Sequence, residues 1–241
     1  MDVDPLVRAK TYPYAIPDHS FVFSRGLGAP LRDGDPVPDL NGRTPVLAVG
    51  SNQSPEQLAR KFPGDGWSPI PVIRVRLRGY DSVYSPHIAS YGAIAATLQA
   101  ASEVTVTLFV TWLDDRQLIR MHETEVSSAN YGFGLLGDIE LEPEIGPPLE
   151  AVHIYNSTRG TLCDSDGPIP VAEIPALGRS RPALSQADVQ GYVRDLIAPE
   201  ADLDHFIRAS IDDPAARRQR ADRLTANARP FVPAKFTAVP I

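Results

Sequence analysis

Proline takes 24 of the 241 positions, about twice the roughly 5 % share of an average chain. Each one fixes φ and removes a backbone donor, so inside a helix or a central strand it breaks a hydrogen-bond ladder. At this density the prolines argue against long helices and long uninterrupted strands. The remaining composition is ordinary for a folded chain: 43 % apolar and 22 % charged residues. A chain of this length buries roughly 70 % of its unfolded surface and needs no staple to form a core. One domain with extensions, or two small domains, fits the length.

The charge excludes some functions. Lys and Arg total 23 against 30 Asp and Glu, a net −7, which is the opposite of a nucleic-acid binder's footprint. A single cysteine, Cys163, leaves no disulfide framework and no Cys-rich zinc site. The start, Met1-Asp-Val-Asp-Pro, has no apolar run of the signal-peptide kind. The greasiest stretch, Val104 to Leu113, falls well short of the roughly 20 residues a membrane helix needs. No membrane partner is expected, and a cytoplasmic location is the default expectation.

The patterning divides the chain into a Pro/Gly-rich N-terminal extension (1–43), a core (44–160), and a linker with a C-terminal helical extension packed on that core (161–241). In the first part only Phe21-Val-Phe reads as strand. In the core, Val46-Leu-Ala-Val is a buried strand ending at Gly50. Ser54-Pro55-Glu56-Gln57 then has the form of a helix start, with Ser54 as N-cap and Gln57 completing a capping box. Val72–Leu77, Tyr91–Leu98, Val104–Leu113, Ile139–Glu142 and Ala151–Tyr155 read as strands. In Val104–Leu113, Val104, Val106, Leu108, Val110 and Trp112 share one face. Asp114 to about Glu125 reads as a helix capped by Asp114 or Asp115. After the linker, Ser185 opens a helix with an apolar stripe of Val189, Val193, Leu196 and Ile197, followed by helices over Asp202–Ile211 and Pro214–Ala228. Arg217, Arg218, Arg220 and Arg223 on the last one read as a solvated face. The tail, with Pro230, Pro233 and Pro240, is expected to pack along the surface.

Two segments carry candidate chemistry. In the first, strand, loop and helix follow each other over Val46–Phe62, which aims the amides of Gly50 to Gln53 and of the first helical turn into one concavity. A helix N-terminus carries roughly half a positive charge, so this arrangement favours a carboxylate. Gly50 allows close approach, and the Asn52 amide both donates and accepts. A tight connection with no ligand has the same pattern. In the second, at about 100° per residue, Leu118, Met121 and His122 share one helix side and Glu125 lands near it, whereas Glu123 points away. A carboxylate on an apolar face loses hydration, and its pKa rises toward general-base range. A frayed helix end with a solvated carboxylate fits the same residues.

Other motifs carry less. Gly132-Phe-Gly134-Leu-Leu-Gly137 has dinucleotide-loop spacing but precedes a strand, and reads as a turn. His122-Glu-Thr-Glu lacks the second histidine of a zinc helix. His153 reads as a satisfied core histidine, and Cys163, beside Asp164 and Asp166, has no electropositive neighbour to activate it.

Taken in order, these segments resemble the γ-glutamyl cyclotransferase family over about residues 45–156. The family's Tyr-Gly-Ser-Asn-Leu loop corresponds to Val49-Gly50-Ser51-Asn52-Gln53. Its small-residue strand corresponds to Tyr91–Thr97, its alternating strand to Val104–Leu113, and its catalytic glutamate after a short helix to Glu125. The resemblance implies an α+β fold, a small mixed β-barrel with flanking helices. It also implies a small γ-glutamyl-type substrate, held by Val49, Gly50, Ser51, Asn52, Gln53 and the pocket residue Tyr131. Glu125 would act as acid and base for intramolecular attack of the substrate α-amine, releasing 5-oxoproline with no metal and no organic cofactor. Val49 for tyrosine, Gln53 for leucine and Val126 for glycine depart from the family pattern. The alternative is a non-catalytic module on the same barrel, holding a small molecule or a partner's chain end. The terminal extensions match no part of the family, and covering the barrel mouth or forming an oligomer interface both stay open for them.

Overall fold

A computed structural model describes residues 3–32, 34–126, 130–231 and 235–241; Met1 and Asp2 of the acidic start, and Pro233 of the tail, lie outside them. In chain order the elements are α1 (Pro5–Lys10), β1 (Phe21–Ser24), β2 (Leu27–Pro30), β3 (Thr44–Ala48), a 3₁₀ turn (Ser51–Gln53), α2 (Pro55–Lys61), β4 (Ile70–Ile88), β5 (Ile94–Leu113), α3 (Asp115–Glu125), β6 (Tyr131–Pro143), β7 (Leu149–Ser157), β8 (Cys163–Asp164), β9 (Gly167–Pro168), β10 (Ala176–Leu177), α4 (Gln186–Ile197), α5 (Leu203–Asp212), α6 (Pro214–Thr225) and β11 (Phe236–Ala238). No helix among the described residues is long and apolar enough to cross a membrane.

Five strands close on themselves. β5 pairs antiparallel with β3, β3 runs parallel to β7, and β7, β6, β4 and β5 complete the circuit by antiparallel pairing. This is an α+β fold built on a small mixed barrel with flanking helices. Closure removes the free edges over these pairings, and β5 before Val104 keeps β4 as its single paired strand among the described residues. Inside it, Val106, Leu108 and Val110 of β5 meet Leu136, Val152 and Ile154 of β6 and β7. The other face of β5 is buried too: Phe109 and Leu113 pack with Phe21, Leu58, Phe62 and Met121 under α2 and α3. Burial on both faces fixes the register, because a one-residue slip would exchange the two cores.

The strands are longer than the prolines predict. β4 and β5 have 19 and 20 residues and form one hairpin. The ladder of β4 accommodates its special residues at irregularities: Gly79, with φ +81°, lies at the register shift between Arg78 and Tyr80, and Pro86 at the shift between Tyr84 and Ile88. A bulge is where proline costs a strand least. The two strands expected at 91–98 and 104–113 are one, beginning at Ile94, and Tyr91-Gly92 belongs to the preceding turn. Gly132–Gly137 is strand, not turn. A Cβ on Gly134 would collide with the Phe236 ring and lie 2.7 Å from the Thr237 carbonyl, so the bare Gly134 lets β11 lie against β6.

At the termini, α1 and β2 occupy what reads as loop. Asp4 caps α1 by accepting from the Leu6 amide at 2.8 Å, with Pro5 in its first turn. Capping boxes form at Asp114–Gln117 and Ser185–Asp188. None forms at Ser54, whose buried hydroxyl has no partner among the described residues. In the α4 stripe, Val189 and Val193 are buried, but Leu196 is exposed.

A buried ion pair ties the linker to the barrel. Arg179 donates to both oxygens of Asp81 at 2.8 and 2.7 Å, with the side chains 13 % and 5 % exposed. Removing one partner strands the other charge. Arg179→Ala is expected to cost about 3–5 kcal/mol in urea denaturation, and the double change Arg179→Met with Asp81→Asn to recover much of that loss. A wild-type midpoint in the single variant would show that the pair holds nothing.

Candidate functional site

From Ile94 to Leu98, β5 keeps β4 on one side, whereas β3 reaches β5 only at Phe109–Leu113 on the other. The exposed ladder groups are taken by side chains. The Ala96 amide donates to the Tyr12 hydroxyl at 2.8 Å, and the Tyr131 hydroxyl donates to the Ala96 carbonyl at 2.8 Å. Asn156 Oδ1 accepts from the Leu98 amide at 3.1 Å and from the Thr97 hydroxyl at 2.7 Å. The barrel therefore splays here, and a cavity of about 630 Å³ opens beside the gap.

Val49, Gly50, Ser51 and Asn52 line this cavity, together with Glu125 and Tyr131. Gln53 does not. Its side chain turns inward, is 1 % exposed, and donates from Nε2 to the Gly50 carbonyl at 3.1 Å, bracing the turn instead of meeting a ligand. The Gln53 and Ser54 amides are likewise spent inside the turn, on the Gly50 and Ser51 carbonyls. The set of amides available to an anion is thus smaller than the sequence implies.

Glu125 sits in the last turn of α3, one turn beyond buried Met121. Its carboxylate is neither solvated nor lodged among apolar groups alone. Oε1 accepts from Asn52 Nδ2 at 2.8 Å and from Lys61 Nζ, and the Glu125 side chain is 15 % exposed. Burial pushes its pKa up, but the Lys61 charge and hydrogen bond, with Asn52 and His87 adding to them, outweigh burial and hold it below the ordinary value. The expected upward shift is thus reversed, and Glu125 is ionised at neutral pH. Among the described residues both contacts fall on Oε1 and none on Oε2. Asn52 Oδ1 is buried with no partner among the described residues, and an unmade bond of this kind costs about 1–3 kcal/mol.

The decisive partner, Lys61, is invisible to the sequence reading. It closes α2 beside Arg60 and looks like a dipole-complementing cation, yet its side chain is 7 % exposed and its Nζ also contacts Met121 Sδ at 3.5 Å. Tyr12, from the N-terminal extension, is the second residue missed. Its hydroxyl stands over Gly50, where a Cβ would collide with it and lie 3.1 Å from the Ala96 methyl. Tyr12 thus puts a phenol in the wall where Val49 has none. His87 is the third. It is buried with Nδ1 3.0 Å from the Ser85 hydroxyl and its ring edge-on to Tyr131, and burial, with Arg159 adding to it, pushes its pKa down to about 4. His153, expected to be satisfied, stacks on Phe133 and meets the Pro45 backbone, and its buried Nδ1 has no partner among the described residues. Arg217 and Arg218, expected on a solvated face, line the cavity.

No family model matches the sequence, and no curated protein matches it. A gamma-glutamyl cyclotransferase is among the similar solved structures. It shares 12 % identity, with a TM-score of 0.39, over 80 % of this chain and 92 % of its own. The solution structure of At5g39720.1 from Arabidopsis thaliana shares 16 % identity, with a TM-score of 0.38, over 54 % of this chain and 76 % of its own. Both are distant likenesses, and the barrel assignment rests on the strand register given above.

Gly50→Ala is expected to displace the Tyr12 hydroxyl from the Ala96 amide and destabilise by about 1–3 kcal/mol in thermal or urea unfolding; an unchanged melting temperature would count against the packing described. For His87, the folded pKa lies below the ordinary 6.5. Its stabilising contribution is therefore complete above pH 6.5 and lost as the pH falls toward about 4. The loss is on the order of 3 kcal/mol. A melting-temperature profile over that window is expected to flatten in His87→Gln.

Proposed function

We propose that the protein is a γ-glutamyl cyclotransferase-like enzyme, releasing 5-oxoproline from a γ-glutamyl amide. The observation that supports this most is the buried Glu125 carboxylate, held ionised at the cavity wall in hydrogen-bond contact with Asn52 of the Gly50–Asn52 turn, with no partner for Oε2 among the described residues. In this reading Oε2 takes a proton from the substrate α-ammonium, and Asn52 Oδ1 is the neutral acceptor nearby. The freed amine attacks its own γ-carbonyl carbon, and holding the substrate folded makes that attack intramolecular. A turn amide stabilises the developing oxyanion. As the amide C–N bond breaks, Glu125 returns the proton to the leaving nitrogen, and the attacking nitrogen sheds its second proton to the expelled amine, so a neutral lactam and an ammonium result. The low pKa suits that second step, since a protonated Glu125 is a comparatively strong acid. The price is a weaker base in the first step.

One observation favours the non-catalytic binding module instead: Lys61 already contacts and neutralises Glu125. Calorimetry against γ-glutamyl dipeptides, paired with an assay for 5-oxoproline, separates the two readings, and binding without product selects the module. For the enzyme, Glu125→Gln is expected to lower turnover by at least about 100-fold. Because that change leaves Lys61 buried without its counter-ion, the same loss is checked in the pair-neutral double variant Glu125→Gln with Lys61→Met. Lys61→Met alone removes the charge that depresses Glu125, so the acid limb of the kcat/KM profile is expected to move to higher pH. Turnover retained in Glu125→Gln would refute the assignment.

A further inference from the structure

The cavity is far more basic than the chemistry at Glu125 requires. Arg8, Arg60, Lys61, Arg159, Arg217 and Arg218 line it, and Glu125 is the one carboxylate among its lining residues, in a chain of net charge −7. Three of these cations are matched: Lys61 by Glu125, Arg60 by Glu56 and Arg159 by Asp222. Among the described residues, Arg8, Arg217 and Arg218 form no ion pair.

These three come from the chain's two ends, Arg8 from α1 and the others from α6. Two of them are held in place. The Arg8 guanidinium lies 4.6 Å from the Tyr91 ring centroid, and its Nε is buried with no hydrogen-bond partner among the described residues. Arg217 donates from Nη1 to the Ser210 and Ile211 carbonyls at 2.6 and 3.1 Å, and its charge also faces Asp213 across the start of α6. Arg218 is exposed at the rim, with no hydrogen bond among the described residues. Fixed like charges around one hollow repel each other unless an anion enters, and the low-dielectric walls strengthen the field such an anion meets. The guanidinium fork suits carboxylate and phosphate oxygens. A cavity of about 630 Å³ lies within the range of roughly 300–1,000 Å³ that holds a small molecule.

We propose that Arg8, Arg217 and Arg218 form a subsite for an anionic side chain, a carboxylate or phosphate that the leaving amino acid carries in addition to its own α-carboxylate. This rests on the reading of Glu125 as the centre where the γ-glutamyl unit is cyclised. It assigns to the terminal helices the selection of what is expelled.

The test is calorimetry on the full chain with γ-glutamylglutamate, γ-glutamyl-O-phosphoserine and γ-glutamylalanine, with 5-oxoproline release recorded in parallel. At least one of the first two is expected to bind about tenfold or more tightly than γ-glutamylalanine, and which of them does so separates carboxylate from phosphate. High salt is expected to shrink the preference. Arg218→Glu, at an exposed position, is expected to remove most of it, Arg8→Ala to reduce it, and Arg218→Lys to keep part of it. Equal affinity for all three ligands, or a preference unmoved by Arg218→Glu, overturns the subsite. The parallel assay keeps the two readings apart: a charge preference without 5-oxoproline leaves the anion subsite standing and removes the cyclisation, whereas 5-oxoproline formed with no charge preference does the reverse.

Discussion

A strand edge inside a protein must find partners for its amides and carbonyls, and the stretch of β5 from Ile94 to Leu98 has a strand on one side only. Leaving those groups bare would cost more than a typical hydrogen bond contributes. Tyr12, Tyr131 and Asn156 supply the missing partners from three separate parts of the chain. The same side chains that repair the edge form walls of the cavity or stand beside it. Architecture and site are thus one problem: the barrel cannot close fully at this point, and the substitute for closure is a hollow lined by phenols.

The electrostatics follow from that hollow. A buried carboxylate facing it is tolerable because Lys61 and Asn52 meet it on one oxygen. The pair converts what burial alone would make a neutral acid into a fixed negative charge. His87, kept neutral by burial and by Arg159, adds a polar ring without adding a competing charge at neutral pH.

The sequence made the core strands legible because alternation is local: Val104, Val106, Leu108 and Val110 are inward, and their period is visible in the residues themselves. Helix starts at Asp114 and Ser185 were legible for the same reason, since their caps lie within four residues. What escaped was set by distant contacts. Gly132–Gly137 reads as a turn until β11 is laid beside it, and the proline count misleads because a bulge in β4 absorbs Pro86. At the site, Gly50, Ser51, Asn52 and Glu125 could be singled out from spacing, and Gln53 could not be told apart from them. Lys61 and Tyr12 gave no signal, because Lys61 looks like any helix-ending cation and Tyr12 acts across 84 positions on Ala96.

The hollow has its floor in the middle of the sequence and its roof at the two ends, since Arg8 and Tyr12 precede the barrel and Arg217, Arg218 and Ala221 follow it. During synthesis the turn at Gly50 and the carboxylate of Glu125 leave the ribosome some ninety residues before α6 can cover them. Until α6 is laid over the barrel the hollow lacks Arg217 and Arg218, so its walls and its charge are completed late in the order of synthesis.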